Sequence, residues 1–581
     1  MKTRSKEKGV ALLTAIIVLV SILGLSIGLL YMALADNKES VVNRELSIAT
    51  ALAEGATEVA HKQLLVAVAN YETPPVGGVA DINGNSVAYV ITPVGVQRIE
   101  VDPQGVQTII QPYSISADAT HNGFTRHVEK IIDVEKTPIF QYVVFYNEDL
   151  EILPGPSMTL FGRVHSNHDI YIGSGATLTL QSNYVRSAGK FYRMRKNDGT
   201  DSTGTVNIMQ YDHSGTYRNM ESKTQFAPPS ANGFDGEFLG YDANHDGDYL
   251  DAGDYKNWTL RAIDQWHGTV QSAEHGVKQV ESPQVGNIKM YSPVAGGSGG
   301  DYDYDAGSGQ YVPVAPGTGG YQKGYFYRNA SLSIVNNKAY DVSGNEITVW
   351  PDVDGNGTPD NPITQSSIYD GRENKYVTVT NVNLSILGKS GYWPPNGLLY
   401  AARTDSSASL PNGVRFTNGN ILANPLTIVS PDPVYTQGNY NVGDATHIKQ
   451  PASVITDSFN ILSTKWNNTK TPGSLPKAGE TTVNAAFISG SYETTPGTYN
   501  GGFENLPRFH ENWDGVSCHI RGSFVNIWDS DVGTGTWVYG DDNYTAPGRD
   551  WNYDMDFNDF SKLPPFTPSV VGTTRVVWVS R

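Results

Sequence analysis

Residues 9–35, GVALLTAIIVLVSILGLSIGLLYMALA, decide the fold. They carry no charge from Val10 to Ala35, and the residues ahead of them, MKTRSKEK, set Lys2, Arg4, Lys6 and Lys8 against Glu7. Spanning the hydrocarbon core takes roughly 20 consecutive apolar residues. As a helix at about 1.5 Å per residue, the run from Val10 to Ala35 reaches about 39 Å, enough to cross with some tilt. The basic flank belongs in the cytoplasm, which sends everything after Ala35 across the membrane. Ala33-Leu34-Ala35 has the small-x-small form of a secretory cleavage site, but the apolar core exceeds the roughly 7–15 residues usual for such a signal. A plain signal anchor is a further reading of the same stretch.

The helix is expected to continue past the membrane. Residues 36–70 contain no Pro and a single Gly, Gly55. Leu46, Ala49, Leu52, Ala53, Ala56, Val59 and Ala60 recur at steps of three and four, which puts them on one helical face. Arg44, Glu45, Glu54 and Lys62 fall on the others. Pro74-Pro75 and Gly77-Gly78 stop the helix near Tyr71. SVAYVITPV, YSISADAT and FTRHVEKIIDVEK then alternate apolar and polar residues, with Asn122-Gly123 as a hairpin turn between the last two.

The junction Lys8-Gly9-Val10, a short basic leader ending in Gly before an apolar helix, resembles a type IV prepilin leader. It is most similar to the PilX-type minor pilins and the K-type minor pseudopilins of type II secretion. The resemblance implies cleavage between Gly9 and Val10 by a prepilin peptidase, methylation of the new terminus, and retention of the helix as the mature N-terminus. It also implies partnership with other pilins or pseudopilins through that helix. The protein would pass through the inner membrane once, N-terminus cytoplasmic, before entering a filament in the periplasm or at the cell surface. Major pilins usually have Phe first and Glu fifth in the mature chain; here those places hold Val10 and Thr14. Lack of the Glu is shared by the PilX and K types and suits a rare tip or priming subunit.

The fold class expected is α+β, with a leader at 1–9, a stalk helix at 10–70 that is transmembrane over 10–35, and a small antiparallel sheet at 71–136. A large exported all-β domain follows at 137–581. Sixty Gly, 32 Pro and 33 Tyr in 581 residues, only 17% of them charged, describe a turn-rich β protein of about three or four units. Strand phrases at intervals of about eight to ten residues favour a β-solenoid, with a β-sandwich as the alternative. Two exceptions are expected: a Gly-rich loop at 293–324 and a short helix from Ala452 to Trp466. YDGREN at 369–374 and NGGFENLPRFHENW at 500–513 resemble C-terminal regions that accompany PilX-type N-termini, with no chemistry attached to them. The net charge of −18 disfavours nucleic acid as a partner. Cys518 is the only cysteine, which excludes an intrachain disulfide.

Two stretches have the spacing of calcium loops. DANHDGDYLDAGD offers Asp242, Asn244, Asp246 and Asp248 around Gly247, with Asp251 or Asp254 to close the shell because Gly253 stands where an EF-hand has Glu. DVDGNGTPD offers Asp352, Asp354, Asn356 and Asp360 around Gly355 and Gly357, and resembles thrombospondin type 3 calcium loops. Alternate side-chain oxygens converge on one hard cation, and the glycines allow the tight turn; the same residues also make ordinary acidic turns. Asp554, Asp556 and Asp559 lack a glycine, and His165 with His168 lack further zinc ligands nearby in sequence. No catalytic motif is present, the Trp and Tyr residues are scattered along the chain, and an enzyme is not expected. The function expected is a minor pilin or pseudopilin. The alternatives are an anchored adhesin or glycan-binding surface protein, and an anchored polysaccharide-degrading β-helix enzyme that would draw on carboxylates with Arg508 or Arg549.

Overall fold

The computed structural model describes residues 4–102, 105–211, 215–222, 240–241, 255–256, 258–290, 301–305, 310–314, 324–540 and 542–580. One helix, α1 (Arg4–Ala69), runs unbroken through the apolar stretch and the amphipathic one. Its first half stands bare of the other described residues, with Leu12, Leu19 and Leu25 all more than half exposed. Among the described residues it is the one helix long and apolar enough to cross a membrane, over Gly9–Ala69.

From Glu45 onward the helix meets a sheet. Strands β1 (Gly77–Ile82), β2 (Asn85–Pro93), β3 (Arg98–Val101), β4 (Gln107–His121) and β5 (Phe124–Pro138) form an antiparallel sheet in the order β1-β2-β4-β5, with β3 on β4. Asn122 and Gly123 make the turn between β4 and β5 at φ 47° and 84°, the positive-φ pair that a tight hairpin needs. Leu52, Ala53, Ala56, Ala60 and Leu64 are buried on Val87, Ile91, Ile115, Val128 and Ile132. The alanines let the helix lie close to the sheet, and Ile82 fills the space beside Gly55, where a Cβ would meet it at 3.2 Å.

The sheet has a further member from the far end of the chain. Ser569–Ser580 pairs antiparallel with β5, and Val571 is buried under the stalk helix. Sequence order alone assigned this strand to the large domain. Its alternation of apolar and polar residues fits any half-buried edge, so only the pairing reveals where it goes.

Between β5 and that last strand the chain builds mostly parallel sheets. The longest holds eleven strands. One run climbs outward from Val144–Tyr146 through Val164–Ser166 and Val185–Ser187 to Val270–Gln271. The other runs from Leu332–Val335 through Leu398–Ala402, Leu426–Ser430, Ala452–Thr456 and Ala486–Ser489 to Phe524–Asn526. The two runs join in the middle, where Phe524–Asn526 pairs parallel with Val144–Tyr146. Ser, Thr and Asn side chains mark the strand ends: Ser430 lies beside Thr456, and Thr456 beside Ser489. Their hydroxyls satisfy corner carbonyls, as when Thr456 Oγ1 donates to Asp432 O at 2.6 Å. Further parallel strands lie alongside, including Lys375–Asn383, Gly413–Thr417, Val434–Gln437, Phe459–Leu462 and Arg508–Phe509.

The helix expected at Ala452–Trp466 is absent. Ala452–Thr456 and Phe459–Leu462 are strands in two different sheets, because Asp457-Ser458 turns a corner between them. Within 293–324, expected to be a loop, Asp301–Asp305 pairs antiparallel with Gln310–Val314. The stalk is tied to the large domain at its C-terminal end. Tyr71 stacks on Tyr325 at 3.8 Å, and Asn70 Oδ1 accepts hydrogen bonds from Gln284 N and Asn287 Nδ2, both at 2.8 Å.

Candidate functional site

The stem is built of two chemically different halves. Val10 to Leu34 offers large apolar side chains to its surroundings, while the half beyond residue 44 spends its apolar face on the sheet. Thr14 adds no free polar group to the apolar half, since its hydroxyl donates to Val10 O at 2.6 Å. Where the sheet begins, polar groups fix the helix. Glu45 pairs with Arg44 at 2.6 Å and accepts from Asn122 Nδ2 at 2.9 Å. Further on, the buried Lys130 donates to Glu58 at 2.7 Å and contacts His61 Nδ1 at 3.0 Å. Burial, with the Lys130 charge adding to it, lowers His61 to about 4, so its ring is neutral at neutral pH.

The second acidic stretch forms a compact loop. One oxygen each from Asp352, Asp354 and Asp360 lies within 4.8 Å of the others, the one such acidic or histidine group among the described residues. Gly355 and Gly357 take φ 79° and 88° and allow the backbone to fold back over Asp352. Asp352 Oδ2 accepts from Gly357 N at 2.6 Å, and its Oδ1 accepts from Gly355 N at 2.7 Å. Those backbone bonds, the one from Gly357 foremost, hold the Asp352 carboxyl below its ordinary range. Asp360 Oδ2 accepts from Val353 N at 2.8 Å, closing the loop. Asn356 turns its Oδ1 to Thr358 N at 2.8 Å instead of presenting it to the aspartates. Trp350, buried and edge-on to Tyr392 at 5.2 Å, anchors the loop to the domain. Asp242, Asn244, Asp246, Asp248, Asp251 and Asp254 of the other loop lie outside the described residues. Gly240–Tyr241 and Tyr255–Lys256, on either side of it, pair antiparallel.

The weaker metal candidates are accounted for by other partners. Lys449 lies 2.5 Å from Asp554 and 3.1 Å from Asp556, and Lys562 lies 2.9 Å from Asp556, so ammonium groups meet that acidic string. His165 is buried and stacked on Phe145 at 5.2 Å, whereas His168 is near Glu148 at 3.5 Å.

The phrases YDGREN and NLPRFHENW meet in space. Arg508 Nη1 lies 2.7 Å from Glu373 Oε1, both side chains almost wholly buried. Tyr435 donates to Asp370 at 2.7 Å, and Lys470 donates to His510 O at 2.6 Å. Gly535 N donates to Glu373 at 2.8 Å, while three backbone N–H groups from Asp531 to Gly533 point at Asp457. The network pins the segment around 531–535 to the parallel sheets; it is buried and offers no surface to a ligand. Sequence reasoning also missed a cleft in which Tyr499, Trp537, Tyr539 and Tyr544 come together. Four aromatics scattered over loops carry no periodic signal, so only the fold could reveal them.

No family model matches the chain, and no curated protein matches it. A solved structure, the crystal structure of the competence-associated pilin ComZ from Thermus thermophilus, aligns over 92% of this chain and 98% of its own at 10% identity and a TM-score of 0.27. At that TM-score the likeness carries no weight for fold or role.

Proposed function

We propose that the chain is a minor pilin or pseudopilin, of the PilX or K type, that assembles through α1 into a type IV pilus or type II secretion pseudopilus. The observation that supports this most is the stem itself. Its apolar half covers nothing among the described residues, while its second half is seated on an antiparallel sheet and tied at its end to a large β domain. A membrane anchor alone would satisfy the first feature; the unbroken helix and its seat suit a subunit that leaves the bilayer and packs among similar helices. Prepilin peptidase would cut between Gly9 and Val10, after which Val10 is methylated and the subunit passes from the inner membrane into the filament.

Thr14, bonded to its own helix, leaves the fifth mature position without a carboxylate to meet a neighbour's terminal amine, which suits a place at the tip. The parallel strands favour a β-solenoid for the exported domain over a sandwich, whose sheets are antiparallel. That domain would bind calcium at Asp352, Asp354 and Asp360, and at the 242–254 loop. Carboxylate oxygens suit a hard cation, and carboxylates this close repel one another without it.

The test is fractionation of cells that make the full chain. The protein should enter the sheared-filament fraction, sparsely and at ends by immunogold labelling, and Gly9→Arg should hold it in the inner membrane. Equal retention of parent and variant in the membrane would favour the anchored adhesin instead. For calcium, the melting temperature should rise with millimolar calcium, since one site filled at ten times Kd adds about 1.4 kcal/mol of stability, and Asp354→Ala should reduce the gain. Identical curves in chelator and calcium would leave the loops as acidic turns.

A further inference from the structure

A cleft of about 350 Å³ opens next to the end of the strand Leu150–Ile152. One wall is Leu153 to Pro156, directly after the strand Leu150–Ile152; the other comes from the segments around 499–505 and 537–549. The aromatic wall is cross-linked by hydrogen bonds. Trp537 Nε1 donates to Tyr544 Oη at 2.8 Å, and Trp537 N donates to Tyr492 Oη at 2.6 Å. Tyr544 Oη in turn donates to Asn505 Oδ1. Trp537 meets Tyr499 edge-on at 5.1 Å and lies within 23° of parallel to Tyr539. Even so, Tyr539 is 52% exposed. Large aromatic faces held in fixed orientation yet left open to water are a familiar feature of ligand surfaces.

Two of the three acidic or basic side chains that line the cleft, Arg195, Arg549 and Glu504, are arginines. Arg195 is exposed, with its guanidinium 5.8 Å from the centre of the Tyr499 ring. Arg549 is half-buried, and its Nε is buried without a hydrogen-bond partner. Among the described residues neither arginine forms an ion pair. Glu504 is the acid of the cleft; Leu153 N donates to its Oε1 at 2.9 Å. Burial pushes its carboxyl up to about 7, which reduces its capacity to neutralise the arginines at neutral pH.

We infer that this cleft binds an acidic saccharide, a chain of hexuronate residues whose ring faces lie on Trp537 and Tyr539 and whose carboxylate meets Arg195 and Arg549. Sugar rings present apolar C–H faces with a polar rim, which matches aromatic faces ringed by hydroxyl and amide groups. Guanidinium forks pair with carboxylates through two parallel hydrogen bonds. The volume is at the small end of ligand sites, which suits one or two sugar rings and not a folded partner. Two arginines within a chain of net charge −18 suit a ligand with one charge per ring better than the denser charge of duplex nucleic acid.

The experiment titrates the purified full chain in detergent with tetrasaccharides of galacturonate and of alginate, read by calorimetry and tryptophan fluorescence. At least one should bind. Its methyl ester should bind about tenfold more weakly, since the charge-assisted bonds are lost. Tyr539→Ala and Arg195→Gln, both at exposed positions, should each weaken binding about tenfold with unchanged melting. Failure of both acids to bind, equal binding of acid and ester, parental affinity in both variants, or tighter binding of a single-stranded oligonucleotide would overturn the assignment. None of these outcomes depends on whether the chain enters a filament.

Discussion

Glu373→Ala should destabilise the large domain severely, and the Glu373–Arg508 pair shows why. The two side chains are 3% and 2% exposed and lie 2.7 Å apart. Glu373 also accepts from Gly535 N, and Arg508 also donates to Gly533 O. Removing the carboxylate leaves a buried guanidinium without its counter-charge and a backbone N–H without its acceptor. Breaking one partner of such a pair costs about 3–5 kcal/mol. Arg508→Met should cost less, because burial already raises the Glu373 carboxyl and it can take up a proton instead of remaining an unpaired charge. The double variant Glu373→Ala with Arg508→Met should fall short of the sum of the singles by at least about 2 kcal/mol, since neither partner is left charged and alone. The assay is urea unfolding of the full chain in detergent, followed by tryptophan fluorescence, with midpoints compared at unchanged slope. Single losses below about 1 kcal/mol, or effects additive within about 0.5 kcal/mol, would refute the reasoning.

Two further predictions concern pH and the chain terminus. Burial lowers His165 from 6.5 to about 4, so between those values the unfolded chain binds more protons and stability falls as pH drops. His165→Gln should flatten that fall relative to the parent, by up to about 3 kcal/mol between pH 7 and 4. Glu504 and Asp432, both pushed up to about 7 by burial, act in the opposite sense, so the comparison is between variant and parent and not against a flat line. Val571→Asp would set a charge under the stalk helix and should cost about 3 kcal/mol or more, opening the N-terminal sheet to protease. Unchanged protection of the sheet would argue against its dependence on the last strand.

Much of the stem was legible in the sequence because its signals are local. A charge-free run, a three-and-four apolar stripe and a double proline need no partner to be read. The β character of the remainder was legible for the same reason. What could not be read depends on partners distant in sequence. Ser569–Ser580 alternates like any edge strand, and its place on β5 is a pairing choice between chain ends. The meeting of Phe524–Asn526 with Val144–Tyr146 joins segments almost as far apart in sequence. Ala452–Trp466 was misread because Ala, Val, Ile, Phe and Leu at close spacing fit a short buried helix as well as two buried strands. The Asp457-Ser458 corner decides it, with Asp457 accepting backbone N–H groups from 531–533. Of the candidate sites, the local acidic loop at 352–360 was visible as a motif, while the aromatic cleft was not.

The most direct test of the pilin account is the mature N-terminus, determined on protein from cells with and without prepilin peptidase. The account predicts Val10, methylated, when the peptidase is present, and an uncut chain still carrying Gly9 when it is absent. A mature chain beginning at Asp36, or the same terminus in both strains, would contradict it.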